Sequence, residues 1–98
     1  MAERIAHAVA SHFGISMNRL TKPRSRAAED VKPRWFAAAI AKDACGISME
    51  ELGKILSMHH SGALHADKTV KAFCELYPRF AKEFSEVKTS VLKAVSAR

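Results

Sequence analysis

The segment Ile47–Tyr77 constrains the fold of this chain most strongly, because it predicts two helices joined by a tight turn. Ser48 and Glu51 have the spacing of a capping box, in which two side chains satisfy free N–H groups at a helix N-terminus. Gly53 lies within this first helix, where it costs about 1 kcal/mol relative to Ala. A glycine there often allows another helix to approach closely. The apolar face of this helix consists of Leu52, Ile55 and Leu56.

A longer helix is predicted to begin near His60 or Ser61, after a break at 57–59, and to end at Pro78. A short capped helix, a turn and a longer helix form the helix-turn-helix pattern, in which the start of the second helix can enter a DNA major groove. An ordinary helical hairpin is the alternative interpretation. The predicted apolar stripe of the longer helix is Ala66, Val70, Phe73 and Tyr77, with Ala63 and Leu64 beside it.

The rest of the chain has helical periodicity and no strand-like alternation, which predicts an all-α fold of five or six helices. The further helices are expected at about 3–13, 17–20, 33–45 and 79–96. Gly14 and Gly46 would close two of them, and Ser16 would cap the single turn at 17–20. The segment 21–32 has no hydrophobic period and is predicted to be a basic loop, with Pro33 in the first turn of the next helix. The residues predicted to face inward are Ile5, Ala6, Val9, Ala10, Phe13, Phe36, Ala37, Ile40, Ala41, Ala44, Phe80, Phe84, Val87, Val91 and Val95.

The composition is that of one globular domain. The 98 residues are 48% hydrophobic and 27% charged, and no apolar run approaches the ~20 residues of a membrane span. No signal peptide is evident, so a cytoplasmic protein is expected. Cys45 and Cys74 are isolated within helical patterns and are interpreted as buried free thiols rather than a disulfide. An amphipathic membrane-surface helix is the alternative for 79–96, but its polar face mixes both charge signs.

Positive charge is concentrated in one part of the chain. The net charge is +6, and residues 19–42 carry seven Lys or Arg against two acidic residues. Such clustering indicates a polyanion partner, with a solvated basic surface as the alternative. Arginines on a flexible arm can enter a narrow minor groove, and a helix N-terminus suits phosphate. The candidate contacts are Lys22, Arg24 and Arg26 in the loop and Arg34, Trp35 and Lys42 in the following helix.

No catalytic or metal-binding constellation is evident in the sequence. His59, His60, His65 and Cys74 lack the paired spacing of zinc ligands, such as CxxC or HxxxH. There is no glycine-rich phosphate loop with a Walker lysine. Glu50 and its neighbour are explained by the helix dipole. We therefore predict no enzyme activity, no cofactor, no metal and no small-molecule substrate.

The segments KPRSR, KPRWFAAAIAK, SMEELGKIL and HHSGALHA together resemble the C-terminal DNA-binding domain, domain IV, of the bacterial replication initiator DnaA. The resemblance covers nearly the whole chain. It implies a Trp-repressor-like helix-turn-helix that binds double-stranded DNA in replication initiation or its regulation, in the bacterial nucleoid or a phage-encoded setting. DnaA itself and other initiation proteins are further expected partners, and no membrane partner is expected. The chain has no room for the family's ATPase domain, so it corresponds to an excised domain or a stand-alone relative, and Met1 favours the latter.

The same resemblance assigns roles to individual residues. Arg24 corresponds to a minor-groove arginine, and His60 and Ser61 correspond to the pair that reads bases and thymine methyl groups. His65 corresponds to the second histidine of the family signature. Arg34, Trp35 and Lys42 correspond to phosphate contacts, and the full set of expected DNA-binding residues is Lys22, Arg24, Arg26, Arg34, Trp35, Lys42, His59, His60, Ser61 and His65.

The chain departs from the family signature at the positions that read DNA. Met58 stands in place of an arginine, His59 in place of an aspartate and Gly62 in place of a threonine, while Leu56 and Ser57 replace two glycines. These departures imply altered or reduced specificity for the family's nine-base-pair box. They also leave open a protein-interaction regulator that retained the fold but not specific DNA recognition.

Overall fold

The computed structural model describes residues 2–21 and 28–96, with the side chains of 28–30 excepted. These residues form six α-helices and no strands, which confirms the predicted all-α class. The helices are α1 (Ala2–Phe13), α2 (Met17–Leu20), α3 (Ala28–Cys45), α4 (Met49–Leu56), α5 (His60–Leu76) and α6 (Pro78–Ser96).

Helix α3 is the centre of the fold, and the other five helices pack around it. Its residues from Phe36 to Ala41 are all buried, with exposed fractions of 2% or less. Because a helix enclosed on all sides must be apolar all round, the run of alanines there is explained by close packing. The prediction of a single inward face was therefore too narrow, since Ala38 and Ala39 are also buried and Ala44 is exposed.

The predicted loop at 21–32 is wrong from residue 28 onward, because α3 already begins at Ala28. Pro33 lies in the second turn of the helix rather than in its first, and its ring is fully buried. A proline this close to the N-terminus removes only one backbone hydrogen bond, which the burial of its ring can offset. The helical period was not visible in the sequence here because Val31 is the only large aliphatic residue at 28–32.

The helix ends follow the predicted capping residues. Ser16 and Ser48 accept hydrogen bonds from the backbone N–H groups of Arg19 and Glu51, both at 3.2 Å. Gly14 and Gly46 adopt positive φ angles of 68° and 61°, a conformation that glycine enters without steric cost. These caps fix the bounds of α1, α2, α3 and α4 close to their predicted positions, the start of α3 excepted.

Aromatic rings fill the space between α1, α3 and α6. The ring of Phe36 lies 5.3 Å from those of Phe80 and Phe84 and 5.8 Å from that of Phe13, all in edge-on or tilted geometry. Such edge-to-face pairs stabilise a core beyond the burial of their surface. The predicted inward stripe of α6 is confirmed for the buried Phe84, Val87, Val91 and Val95, whereas its first member, Phe80, is half-buried.

Predictions of burial at Tyr77 and at the two cysteines were also wrong. Tyr77, placed in the stripe of α5, is the C-terminal cap of that helix and is 55% exposed. The helix ends at Leu76, so Tyr77 leaves the helical register, and its ring is in T-shaped contact with the ring of Phe73 at 5.5 Å. Cys45 and Cys74 are free thiols as predicted, but they are half-buried rather than buried.

An ionic network holds α3, α5 and α6 together. The carboxylate of Asp43 accepts hydrogen bonds from Lys71 at 2.8 Å and from Lys88 at 3.1 Å, and Lys71 also reaches Asp67 at 3.2 Å. Partial burial raises the pKa of Asp43, but the hydrogen bonds from the two lysines outweigh it and hold the pKa below its usual value. Networks of this kind contribute more than isolated surface pairs.

Candidate nucleic-acid interface

The turn between α4 and α5 consists of three residues, 57–59. Ser57 adopts the left-handed conformation, with φ 55° and ψ 44°, which ends α4. The N–H of Met58 then donates a 2.8 Å hydrogen bond to the carbonyl of Gly53. The left-handed residue and this hydrogen bond bring the backbone of the turn directly against the side of α4.

Gly53 is required by this turn. A Cβ atom at Gly53 would lie 2.5 Å from the carbonyl oxygen of Met58 and 3.4 Å from the backbone of His59 and His60. The sequence had predicted a close approach at this glycine, and the structure confirms it. The approaching group is the turn and the first residue of α5.

We expect Gly53→Ala to lower the free energy of unfolding by about 1–3 kcal/mol, although alanine is otherwise the better helix former. The reason is that a backbone oxygen at 2.5 Å cannot move without opening the turn. Urea denaturation of the two proteins measures the difference. Gly62→Ala is the matched control, because a Cβ there would meet Met58 at an ordinary 3.9 Å. Equal stability of the two variants would contradict this account of the turn.

His59 is the N-cap of α5. Its Nδ1 atom accepts a hydrogen bond from the backbone N–H of Ser61 at 3.2 Å and lies 2.8 Å from the hydroxyl oxygen of the same residue. The ring of His60 stacks on the ring of His59, with centroids 4.1 Å apart and a tilt of 36°. All three side chains are exposed. The start of α5 therefore presents a pair of oriented imidazole rings and a hydroxyl group to solvent.

The exposed face of α5 continues this surface for two further turns. Its buried side is Ala63, Ala66 and Val70, as predicted. The only acidic residue in this part of α5, Asp67, is largely covered and is paired with Lys71. We define the reading face as the exposed residues His59, His60, Ser61, Leu64, His65 and Lys68.

The reading face has no carboxylate. Leu64 and Lys68 were not among the predicted site residues, although both follow His60 at helical spacing, i+4 and i+8, which is the signal that identifies them. The sequence had placed Leu64 beside the apolar stripe, but it is 39% exposed. His65 lies on the same face, with its Nε2 atom 3.4 Å from the hydroxyl of Thr69.

The other predicted DNA contacts do not belong to the reading face. Lys42 is half-buried in the last turn of α3 and forms no ion pair with any residue that the structure describes. Trp35 is also half-buried, with its ring edge-on to Phe73 at 6.1 Å, so it packs α3 against α5. Lys22, Arg24 and Arg26 lie outside the described residues.

Arg34, a predicted phosphate contact, is buried and forms hydrogen bonds within the protein. Its side chain is only 8% exposed. Nε donates a 2.8 Å hydrogen bond to the carbonyl of Leu20, and Nη2 lies 3.5 Å from the carbonyl of Arg19. These carbonyls lie at the C-terminal end of α2, where a positive charge is favourable. Arg34 therefore joins α2 to α3 from inside the molecule.

No group of three or more histidine, cysteine or acidic side chains that could hold a metal ion is present among residues 2–21 and 28–96. In the same part of the chain, no helix is long and apolar enough to cross a membrane.

A short capped helix, a left-handed turn and a second helix with an exposed start define a helix-turn-helix protein. Residues 2–70 match the family described as the bacterial dnaA protein helix-turn-helix, and the chain belongs to that family. This confirms the resemblance drawn from the sequence.

The chain is similar to one part of two longer curated relatives. It is 33% identical over 91 residues to the chromosomal replication initiator protein DnaA of Bacteroides fragilis. The identity to the protein of the same name from Bacteroides thetaiotaomicron is also 33% over 91 residues. In each case the matched part covers 91% of this chain and 19% of the relative. The chain thus spans about a fifth of the length of these relatives.

Proposed function

We propose that this chain is a double-stranded DNA-binding module without catalytic activity, and that the reading face lies in the major groove. The observation that carries the proposal is the reading face itself. It occupies the start of the second helix of a helix-turn-helix, where recognition residues sit, and it contains no carboxylate to repel phosphate. Family membership and the net charge of +6 support the same partner.

The residues beyond the reading face would position the duplex. Lys42 is proposed as a phosphate contact, and Lys22, Arg24 and Arg26 as an arm toward the minor groove. Trp35 would contribute through its packing between α3 and α5, which holds the reading helix in place. His65 and Lys68 are proposed to contact the flanking phosphates.

The biological process is proposed from the relatives, which are replication initiators by name. We propose a role in replication initiation or its regulation, in the bacterial cytoplasm. Met58, His59 and Gly62 replace an arginine, an aspartate and a threonine of the family signature, so binding to the family's box should be weakened or redirected. Each lost base contact removes about 1–3 kcal/mol of discrimination.

Salt dependence tests the proposal. If about four to six phosphates are neutralised, the logarithm of the binding constant should fall against the logarithm of salt concentration with a slope of about −4 to −5. Fluorescence anisotropy with a labelled duplex measures this slope. Lys42→Ala should make the slope shallower by about one and weaken binding to all duplexes alike. A slope near zero, or no binding at about 50 mM salt, would reject DNA as the partner.

A second candidate is a regulator that binds a protein of the initiation machinery. It is favoured by Leu76 and Tyr77, which are 67% and 55% exposed at the C-terminal end of α5, far along the helix from the reading face. Tyrosine is a residue type that is enriched at protein–protein interfaces. Loss of DNA binding in the salt titration, together with retention of the chain on immobilised DnaA, would select this candidate. Leu76→Ser should then abolish retention.

A further inference from the structure

We infer that His59 is a specificity-determining residue that selects a guanine in the major groove through its Nε2–H group. This inference rests on the proposed DNA-binding function. It concerns one base pair of the site, and it follows from the hydrogen bonds that His59 makes within the protein.

The capping hydrogen bond fixes where the proton of the imidazole lies. Nδ1 of His59 faces the backbone N–H of Ser61 at 3.2 Å, and that N–H group can only donate. The hydroxyl of Ser61, at 2.8 Å, can also donate to the same nitrogen. A nitrogen that accepts carries no proton, so the proton of the neutral ring is on Nε2. The outer end of the ring is therefore a hydrogen-bond donor.

The orientation of the ring is fixed as well. Its inner nitrogen is held by the cap, and one face is covered by the ring of His60 at 4.1 Å. Both residues are exposed, His59 as the N-cap and His60 as the first residue of the reading helix, and this start is the part of a helix-turn-helix that reaches base edges. A donor held in this way at a fixed angle discriminates among bases better than a freely rotating one.

The chemistry of the groove then decides the base. Guanine presents two acceptors, N7 and O6, whereas cytosine presents the N4 amino group, which is a donor. If cytosine occupied this position, the Nε2–H of His59 and the N4 amino group would be two donors facing each other. A base pair with cytosine at this position should therefore bind poorly. Adenine offers N7 but places its amino group beside it, and thymine offers a single acceptor beside a methyl group. Guanine is therefore the best match.

His59→Asp provides a sharp test. Aspartate is among the most favourable N-cap residues, so the variant keeps the cap of α5 while replacing the outward donor with an acceptor. Selection from a pool of random duplexes should give the wild-type protein a guanine at one position where the variant selects cytosine. At that position each protein should prefer its own base by about tenfold or more, and the other positions should be unchanged.

Two controls separate the base contact from a folding effect. His59→Asn also caps the helix through its carbonyl oxygen and leaves an amide donor outward, so it should retain guanine. Replacing the selected guanine with 7-deazaguanine should weaken binding by the wild-type protein and leave His59→Asp unaffected.

The outcomes are distinct. If none of the proteins binds duplex DNA at low salt, the proposed function fails and the inference with it. If all bind but select the same base at every position, or if the wild-type protein selects adenine or thymine where the variants differ, the DNA-binding function stands and the role of His59 is rejected. Selection of guanine by the wild-type protein and of cytosine by His59→Asp at the same position supports the role of His59.

Discussion

Replacing Phe36 with alanine is expected to lower the free energy of unfolding by about 3–5 kcal/mol. The ring of Phe36 is fully buried in the central helix and touches three other aromatic rings, from α1 and α6. Because domains of this size are stable by only about 5–15 kcal/mol, this single change removes a large share of the total. Urea denaturation monitored by circular dichroism measures the loss.

Phe80→Ala is the matched control for this prediction. Phe80 contacts the same cluster, with rings 5.3 Å from Phe36 and 5.4 Å from Phe73, but it is only half-buried. Because folding removes less of the Phe80 side chain from water, Phe80→Ala should lower the free energy of unfolding clearly less than Phe36→Ala does. A Phe36→Ala variant no less stable than Phe80→Ala would show that the rings do not form the centre of the core.

Much of this fold could be predicted from the sequence because its signals are local. Ser48 caps a helix through its own side chain, and Gly46 and Gly14 end helices through their positive φ angles. The stripe of α6 follows from simple 3.6-residue periodicity. The position of Gly53 in a close approach was also visible, because a glycine within a helix needs a packing reason.

The missed features depend on contacts between segments distant in the sequence. Helix α3 begins before Pro33 because the proline ring is buried by neighbours that the local pattern does not reveal. Ala38 and Ala39 are buried because helices surround α3 on every side, which no single-helix period can indicate. The cap at His59 was missed because histidine is not among the usual N-cap residues.

The candidate site shows the same division. His60, Ser61 and His65 were found from the motif and lie together on the reading face, whereas Leu64 was assigned to the wrong side of the helix. Their roles in DNA binding remain predictions. The burial of Arg34 was not predicted, because charged residues are usually exposed and its carbonyl partners, Leu20 and Arg19, lie fourteen and fifteen positions earlier in the sequence.

The burial of Arg34 leads to a test in which stability and DNA affinity respond separately. Arg34→Lys keeps the positive charge but loses the planar group that donates from Nε to Leu20 and reaches Arg19. Hydrogen bonds from a buried charged group are worth about 1.5–3 kcal/mol, so the free energy of unfolding should fall by that amount. DNA affinity of the folded variant should remain close to that of the wild-type protein, because the guanidinium is turned inward.

Lys42→Ala is expected to behave in the opposite way. Lys42 is half-buried and forms no ion pair among the described residues, so its loss should change the free energy of unfolding by less than about 0.5 kcal/mol. If it contacts phosphate as proposed, affinity for every duplex should fall by a similar factor. Measuring urea denaturation and anisotropy on the same two variants separates the roles. A stable Arg34→Lys protein with weakened DNA binding would return Arg34 to the phosphate-contacting surface and refute its assignment as an internal link between α2 and α3.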